Sequence, residues 1–403
     1  MTNKQKILKE LSAALSYILV AAVAVVITLG LVSCSQTGPL VSLPEGTGKL
    51  EYLKALLEAY YIDIDDVDMG KVEDAAAGAM VDALGDRWSY YVSAEEFAAV
   101  KEQSANSYVG IGVTVQVRED GNGFDITQVE PGGSAQAGGI VPGDVLIGAE
   151  GTSFIGTDIN EASKLIKGKA GTKVTVTVMR DGKELTLELT RQVIQTQVAK
   201  GEMLPSNIGL VTINNFNDRC ARESKAAIES LIRQGATSLI FDVRNNPGGY
   251  KHELVELLDY LLPKGDLFHS VDYSGQKDTD TSDAKCLEMP MAVLINGNSY
   301  SAAEFFAAAL NEYDWATIVG DPTTGKGNFQ YTFELPDGSG VGLSVGKYYT
   351  PNGVSLADQG GLVPEVLVEV SDELAAKIYA DLVPYEEDPQ IQAAVKALTE
   401  GTK

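Results

Sequence analysis

The stretch from Pro290 to Gln330, PMAVLINGNSYSAAEFFAAALNEYDWATIVGDPTTGKGNFQ, constrains the chain more than any other. It opens with a short apolar run, Met291 to Ile295, bounded by Pro290 and by the turn formers Asn296, Gly297 and Asn298. That pattern predicts a buried strand ending in a sharp turn. Ser299-Tyr300-Ser301 follows, and then Ala302 to Leu310, rich in Ala, Phe and Leu, which reads as a helix with hydroxyls at its start. A serine there lies beside unpaired backbone N–H groups and the positive end of the helix dipole, so the position can hold a developing oxyanion. Trp315 to Val319 predicts another strand, which leads into a loop, Gly320 to Gly327, with Lys326 between two glycines.

Each piece alone is common. A serine at a helix start usually only caps it, and Gly325-Lys326-Gly327 lacks the spacing of a phosphate-binding Walker loop. The combination is more specific. Asn296 to Glu304 (NGNSYSAAE), then Gly325-Lys326-Gly327 with Lys326 twenty-five residues after Ser301, then Gln330, closely resembles the C-terminal processing (tail-specific) peptidases of family S41. The resemblance implies a serine protease with a Ser–Lys dyad, in which Ser301 is the nucleophile, Lys326 the general base and Gln330 the residue that orients the lysine. It also implies an α/β multidomain fold: a crotonase-like α/β core, an inserted PDZ domain and N-terminal helices.

With 403 residues the chain is too long for one compact core, so two or three domains are expected. A hydrophobic content of 44% is that of a globular protein. The net charge of −25 argues against nucleic acid as a partner, because phosphate binding needs a basic face. Only two histidines occur, His252 and His269, so no His-rich zinc site can be assembled and no metal or other cofactor is expected. The cysteines are Cys34, Cys220 and Cys286, with no Cys-x-x-Cys motif. Cys220 and Cys286 are read as free thiols, with a pair between them as the alternative.

Lys4, Lys6 and Lys9 precede twenty residues without a charge, Ala13 to Val32. That is long enough to cross a bilayer as a helix, and the basic flank places the remainder outside the cytoplasm. Leu31-Val32-Ser33-Cys34 resembles a bacterial lipobox, in which Cys34 is lipidated. Both a lipoprotein and an uncleaved single-span anchor put the protein on the extracytoplasmic side of a bacterial cell membrane.

Together with the resemblance to family S41, the sequence pattern implies a signal or anchor (1–34), a linker (35–47), an N-terminal helical segment (48–105), a PDZ domain (106–195), a serine protease core (196–371) and a C-terminal helical segment (372–403). In the helical segment, Leu50, Leu53, Leu56 and Leu57 recur at helical spacing, and Leu84 to Tyr91 resembles the family's Leu-Gly-Asp-x-x-Ser-x-Tyr segment. The resemblance adds a role for these helices in a homodimer. From Val109 to Leu189, the order of strands, Gly-rich turns and a short helix resembles a PDZ domain of the bacterial protease type. Gly110-Ile111-Gly112-Val113 takes the place of its carboxylate-binding loop, where backbone N–H groups capture a C-terminal carboxylate. The partners so implied are protein or peptide substrates with apolar C-termini.

Ser238 to Val243 predicts a strand running into Arg244-Asn245-Asn246-Pro247-Gly248-Gly249. This resembles the family's Arg-x-Asn-Pro-Gly-Gly element. The resemblance implies an oxyanion hole made by the amide of Gly248 or Gly249 together with that of Ala302. Strand and helix alternate here, which argues for βαβ crossovers and a sheet covered by helices.

Peptide hydrolysis needs a nucleophile, a base and an oxyanion site. A lysine can serve as base only when neutral, and its ordinary pKa is about 10.4. Desolvation and a nearby helix N-terminus both favour the neutral amine. An amide at Gln330 can hydrogen-bond that amine without the negative charge that would hold it protonated. Two other readings stay open: a catalytically inactive PDZ scaffold that only binds tails, and a hydrolase dyad of Ser301 with His252.

Overall fold

The computed structural model describes residues 48–400 apart from Asp381. The segments read as anchor, lipidation site at Cys34 and linker lie outside the described residues. Among the described residues no helix is long and apolar enough to cross a membrane. The described residues fall into two compact units, divided between Glu73 and Asp74. In the first, the leucine spacing gives a helix, Lys49–Tyr60, with none of its residues fully buried and with Lys54 paired to Glu73.

The second unit is built on a six-stranded sheet. Its order is Ala199–Leu204, Ile208–Ile213, Ser238–Asp242, Met291–Ile295, Ala316–Gly320 and Val366–Leu367. Only the first pair is antiparallel; the other four pairings are parallel. The apolar strands are buried on both faces, as parallel sheets require. Val211, Leu239, Phe241, Val293 and Ile318 face a core filled by the helices Cys220–Arg233, Lys251–Leu261 and Ala302–Glu312. Leu210, Ile240, Ala292, Leu294 and Val319 face the other way, where Ile391 and Ala394 of the C-terminal helix Pro389–Glu400 cover them. The helix Pro389–Glu400, from the segment read as C-terminal and helical, therefore completes the second face of this sheet. Its attachment is also polar: the buried Arg244 guanidinium pairs with Asp242 and, at 2.8 Å, with Asp388.

A second, antiparallel sheet runs Tyr90–Val92, Gly340–Tyr349, Gly265–Asp272, Lys277–Ser282, with Asn328–Glu334 also pairing the long strand Gly340–Tyr349. Of these strands only the long one, from Val341 to Tyr349, reads as a strand in the sequence. Its outermost member, Tyr90–Val92, comes from the segment read as N-terminal and helical.

The inserted module is a separate sheet, in the order Val113–Val117, Phe124–Val129, Val145–Ala149, Lys173–Arg180 and Lys183–Thr190, with its own core around Phe124, Phe154 and Val176. The short helix of this module runs Ile159–Ile166. The two connections to the core, Ser107–Gly110 and Gln192–Gln195, pair with each other as antiparallel strands. Arg219 fastens this stalk to the core, donating to the carbonyls of Asn106 at 2.7 Å and Thr196 at 2.8 Å.

Cys220 and Cys286 are both free; Cys220 is buried and Cys286 half-buried. The alternative of a Cys220–Cys286 bridge is thereby removed.

Candidate active site

Three neighbouring parallel strands deliver the predicted residues to one end of the sheet. The Asn-Pro-Gly-Gly loop follows Ser238–Asp242, the serine loop follows Met291–Ile295, and the lysine loop follows Ala316–Gly320. The carboxyl ends of parallel strands are the usual place for a site in such a sheet. Side chains of the loops stitch them together. Asn296 Oδ1 accepts from the Asn245 N–H at 2.9 Å, while Asn245 Oδ1 accepts from the amides of Asn296 and Asn298. The Ser299 hydroxyl, fully buried, donates to the Val243 carbonyl at 2.7 Å. Such turn residues satisfy backbone groups that a sharp chain reversal leaves without partners.

Ser301 stands at the junction of strand turn and helix with φ 58° and ψ −128°, a conformation that a residue with a Cβ adopts only when its surroundings impose it. The Glu304 carboxylate accepts the Ser301 N–H at 2.9 Å, while the Glu304 N–H goes to the Ser301 carbonyl.

Gly248 packs directly on this turn. A Cβ at Gly248 would lie 2.8 Å from Ser301 Cβ and 2.9 Å from the Ala302 nitrogen, and its φ is 86°. Only glycine fits. The Gly248 N–H is already given to Asn246 Oδ1 at 2.8 Å, and the Gly248 carbonyl accepts from the Phe216 N–H at 2.7 Å. In a trans peptide the N–H points opposite to the C=O. The Gly249 N–H therefore points away from Phe216. Ala302 is the first helical residue, so its N–H has no intrahelical acceptor.

Glu304 is the residue the sequence reading missed. Fully buried, it also accepts the Gly325 N–H at 2.6 Å, the Lys326 N–H at 2.9 Å and the Thr323 hydroxyl. One carboxylate thus fixes the loop of Lys326 to the first turn of the Ser301 helix. The dipole at a helix N-terminus favours its negative charge.

The Lys326 amine lies 4.8 Å from the centroid of the Trp88 ring and 6.0 Å from that of Tyr300. Burial pushes it below the ordinary lysine range, against the opposing pull of Glu304 and Asp86. Gln330 is on the strand Asn328–Glu334, with its Nε2 donating to the Asn328 carbonyl at 3.2 Å and to Ser344 Oγ at 3.1 Å. Beyond it the chain of contacts runs from the Ser344 N–H to Ser89 Oγ at 3.0 Å, and from the Ser89 hydroxyl to Asp86 at 2.6 Å. Burial raises Asp86, but hydrogen bonds from Ser344, Ser89 and the Trp88 amide outweigh it and hold the carboxyl below its usual range. His252 is well exposed and stacked on Tyr250 at 5.3 Å, with Glu253 as its charged neighbour.

Gly110, Ile111, Gly112 and Val113 line a cavity of about 390 Å³ in the inserted module, between the edge strand Val113–Val117 and the helix Ile159–Ile166. Tyr108, Phe124, Leu146 and Ile159 make its wall apolar. The carbonyls of Ile111 and Gly112 are tied back to the N–H groups of Ala135 and Glu130. By the same trans geometry, the Gly112 and Val113 N–H groups turn the other way.

Residues 207–368 match the model of peptidase family S41, and residues 109–190 match that of the PDZ domain. The chain is 33% identical over 362 residues to the carboxy-terminal processing protease CtpA of Bacillus subtilis, covering 88% of this chain and 76% of that protein. A "Probable CtpA-like serine protease" of Staphylococcus epidermidis is 28% identical over 393 residues, covering 96% and 79%. Among solved structures, the "Putative S41 protease from Bacteroides fragilis NCTC 9343" superposes with a TM-score of 0.51 at 17% identity, covering 90% of this chain and 100% of that one, a likeness of fold. The chain therefore belongs to peptidase family S41, as a serine-type carboxyl-terminal processing peptidase that carries a PDZ domain.

Proposed function

We propose that Ser301 attacks the peptide carbonyl and that Lys326 is its general base, with Gln330 orienting the amine. The observation that carries this reading is the Glu304 carboxylate, which binds the backbone N–H groups of Ser301 and Lys326 on one oxygen. A device that fixes two loops to each other at the residues needed for chemistry has a catalytic use beyond packing. The amine is desolvated, as a neutral base must be. With its Nε2 occupied, Gln330 has its Oε1 left to accept from that amine.

Lys326 would take the Ser301 proton as Oγ bonds to the carbonyl carbon. The oxyanion would be held by the N–H groups of Ala302 and Gly249, the Gly248 amide being occupied by Asn246. As the tetrahedral intermediate collapses, the proton passes to the leaving amine. Water, deprotonated by the same lysine, then releases the acyl group. The substrate's C-terminus would dock in the 390 Å³ groove of the PDZ domain, adding as a strand beside Val113–Val117 with its apolar last side chain in the cavity. The catalytic part would act on exported proteins at the outer face of a bacterial membrane, anchored by the N-terminal segment, with the exposed Leu50 and Leu53 available to a homodimer contact.

The test is covalent labelling. A fluorophosphonate should modify Ser301 in the parent and in a His252→Ala variant, and not in Lys326→Ala, as read by peptide mass spectrometry. Labelling lost in His252→Ala and kept in Lys326→Ala would favour a serine–histidine dyad instead.

A further inference from the structure

The aromatic ring beside the lysine amine comes from outside the stretch matched by the family model. Asp86, Trp88 and Ser89 precede the PDZ domain, whereas Lys326 belongs to residues 207–368. Local chemistry builds this element first. The Asp86 carboxylate accepts the Trp88 N–H at 3.1 Å and the Ser89 hydroxyl at 2.6 Å, an Asx-type turn that fixes the direction of the Trp88 side chain. The strand Tyr90–Val92 then pairs with Gly340–Tyr349, so the turn is pinned to the sheet that carries Gln330. The Trp88 ring ends beside Lys326 Nζ at 4.8 Å, with the Tyr300 ring 6.1 Å away.

We propose that Trp88 is a positioning residue for the base, its half-buried ring walling the Lys326 amine off from water beside the nucleophile loop. This rests on the assignment of Lys326 as the base. Two effects of the ring oppose each other. Its π face attracts an ammonium, and its bulk removes the water that would solvate one. The charged groups that face the amine are Glu304 from the nucleophile helix and Asp86 from the Trp88 turn, and both favour the charged form. The Tyr300 ring adds a second face at 6.0 Å, and the exposed Arg87 guanidinium lies 4.3 Å from the Trp88 centroid. Burial holds the amine below the ordinary lysine range despite those two carboxylates, and the Trp88 ring at 4.8 Å is part of what buries it.

The sign of the effect on the pH profile separates the two roles. The full-length enzyme, with Trp88→Ala, Trp88→Leu and Trp88→Phe variants, would be assayed for kcat from pH 5 to pH 10 on an unfolded reporter protein, with thermal melts as a check on folding. If the ring excludes water, Trp88→Ala moves the acid limb of the profile up by about one pH unit, roughly a tenfold loss at neutral pH that is regained in alkaline buffer. Trp88→Leu and Trp88→Phe, which keep an apolar cover, stay close to the parent. Should Trp88→Ala fail to fold, Trp88→Leu still decides, because it keeps bulk and loses the π face. A limb that moves down in Trp88→Leu, or a limb unmoved in a folded Trp88→Ala, overturns the proposal. Failure of the base assignment itself would look different: the parent would show no acid limb, or Lys326→Ala would remain active.

Discussion

One oxygen of the Glu304 carboxylate accepts both the Ser301 N–H and the Lys326 N–H, each at 2.9 Å. The other oxygen accepts the Gly325 N–H and the Thr323 hydroxyl. Glu304→Gln replaces one acceptor oxygen by an amide that only donates, and so sets a buried donor against a donor. We expect a loss of about 1–3 kcal/mol in stability from the group left without a partner. Activity should fall by about a hundredfold, the usual order for small misplacement at a reacting centre. Removing the charge also removes a pull that raises Lys326, so the acid limb of the residual activity should move to lower pH. Thermal melts and a pH–rate profile of the variant check both parts.

Lys326→Met should kill activity and raise stability. The folded-state pKa of Lys326 lies below that of an unfolded lysine, so the unfolded chain binds more protons between the two values. The lysine therefore costs the fold most below its folded pKa. That cost disappears as pH rises past about 10.4. The gain from Lys326→Met, about 0.5–2 kcal/mol if typical of such trade-offs, should be present at neutral pH and vanish near pH 11. Equal stabilisation at both pH values would point to packing alone.

Much of this arrangement is legible in the sequence wherever a strong local pattern decides structure. Met291–Ile295 is a strand with the expected ends, and the helix after Ser301 starts at Ala302. The second sheet is much less legible. Lys277–Ser282 reads KDTDTS, with no apolar alternation at all; it is a strand because it pairs with Gly265–Asp272 and because Lys251 bridges Asp278 and Asp280. Glu304 looks in sequence like any helix-surface carboxylate, since the donors that justify its burial lie some twenty residues further along. Trp88 and Lys326 meet only through the folded sheet. The C-terminal helix did offer a signal, Ile391, Ala394 and Ala397 at helical spacing, and all three are buried.

The Arg244 ion pairs give a stability prediction for that helix. Arg244 and Asp388 are each almost fully buried, and Asp388 Oδ1 also caps the helix by accepting from the Gln390 and Ile391 N–H groups. Arg244→Met leaves two carboxylates without their cation and should cost about 3–5 kcal/mol. Denaturant titration measures it directly. A change below 1 kcal/mol would mean that the helix is held by its apolar face alone.

The PDZ groove predicts a dependence on the substrate's own end. Amidating the C-terminus of a reporter removes the carboxylate that the Gly112 and Val113 amides would bind, and should slow cleavage about 5–150-fold, the range of ordinary coupling energies. A reporter ending in Asp or Glu should also be slow, since the cavity wall is apolar and the chain carries −25. Equal rates for free and amidated ends would leave the PDZ domain without a role in substrate capture.

The central claim, that Lys326 deprotonates Ser301, is tested most directly by single-turnover cleavage with Ser301→Ala, Lys326→Ala and His252→Ala measured side by side on folded protein. The account predicts no detectable cleavage by the first two and near-parental cleavage by the third. Cleavage retained in Lys326→Ala, or lost in His252→Ala to the level of Ser301→Ala, would contradict it.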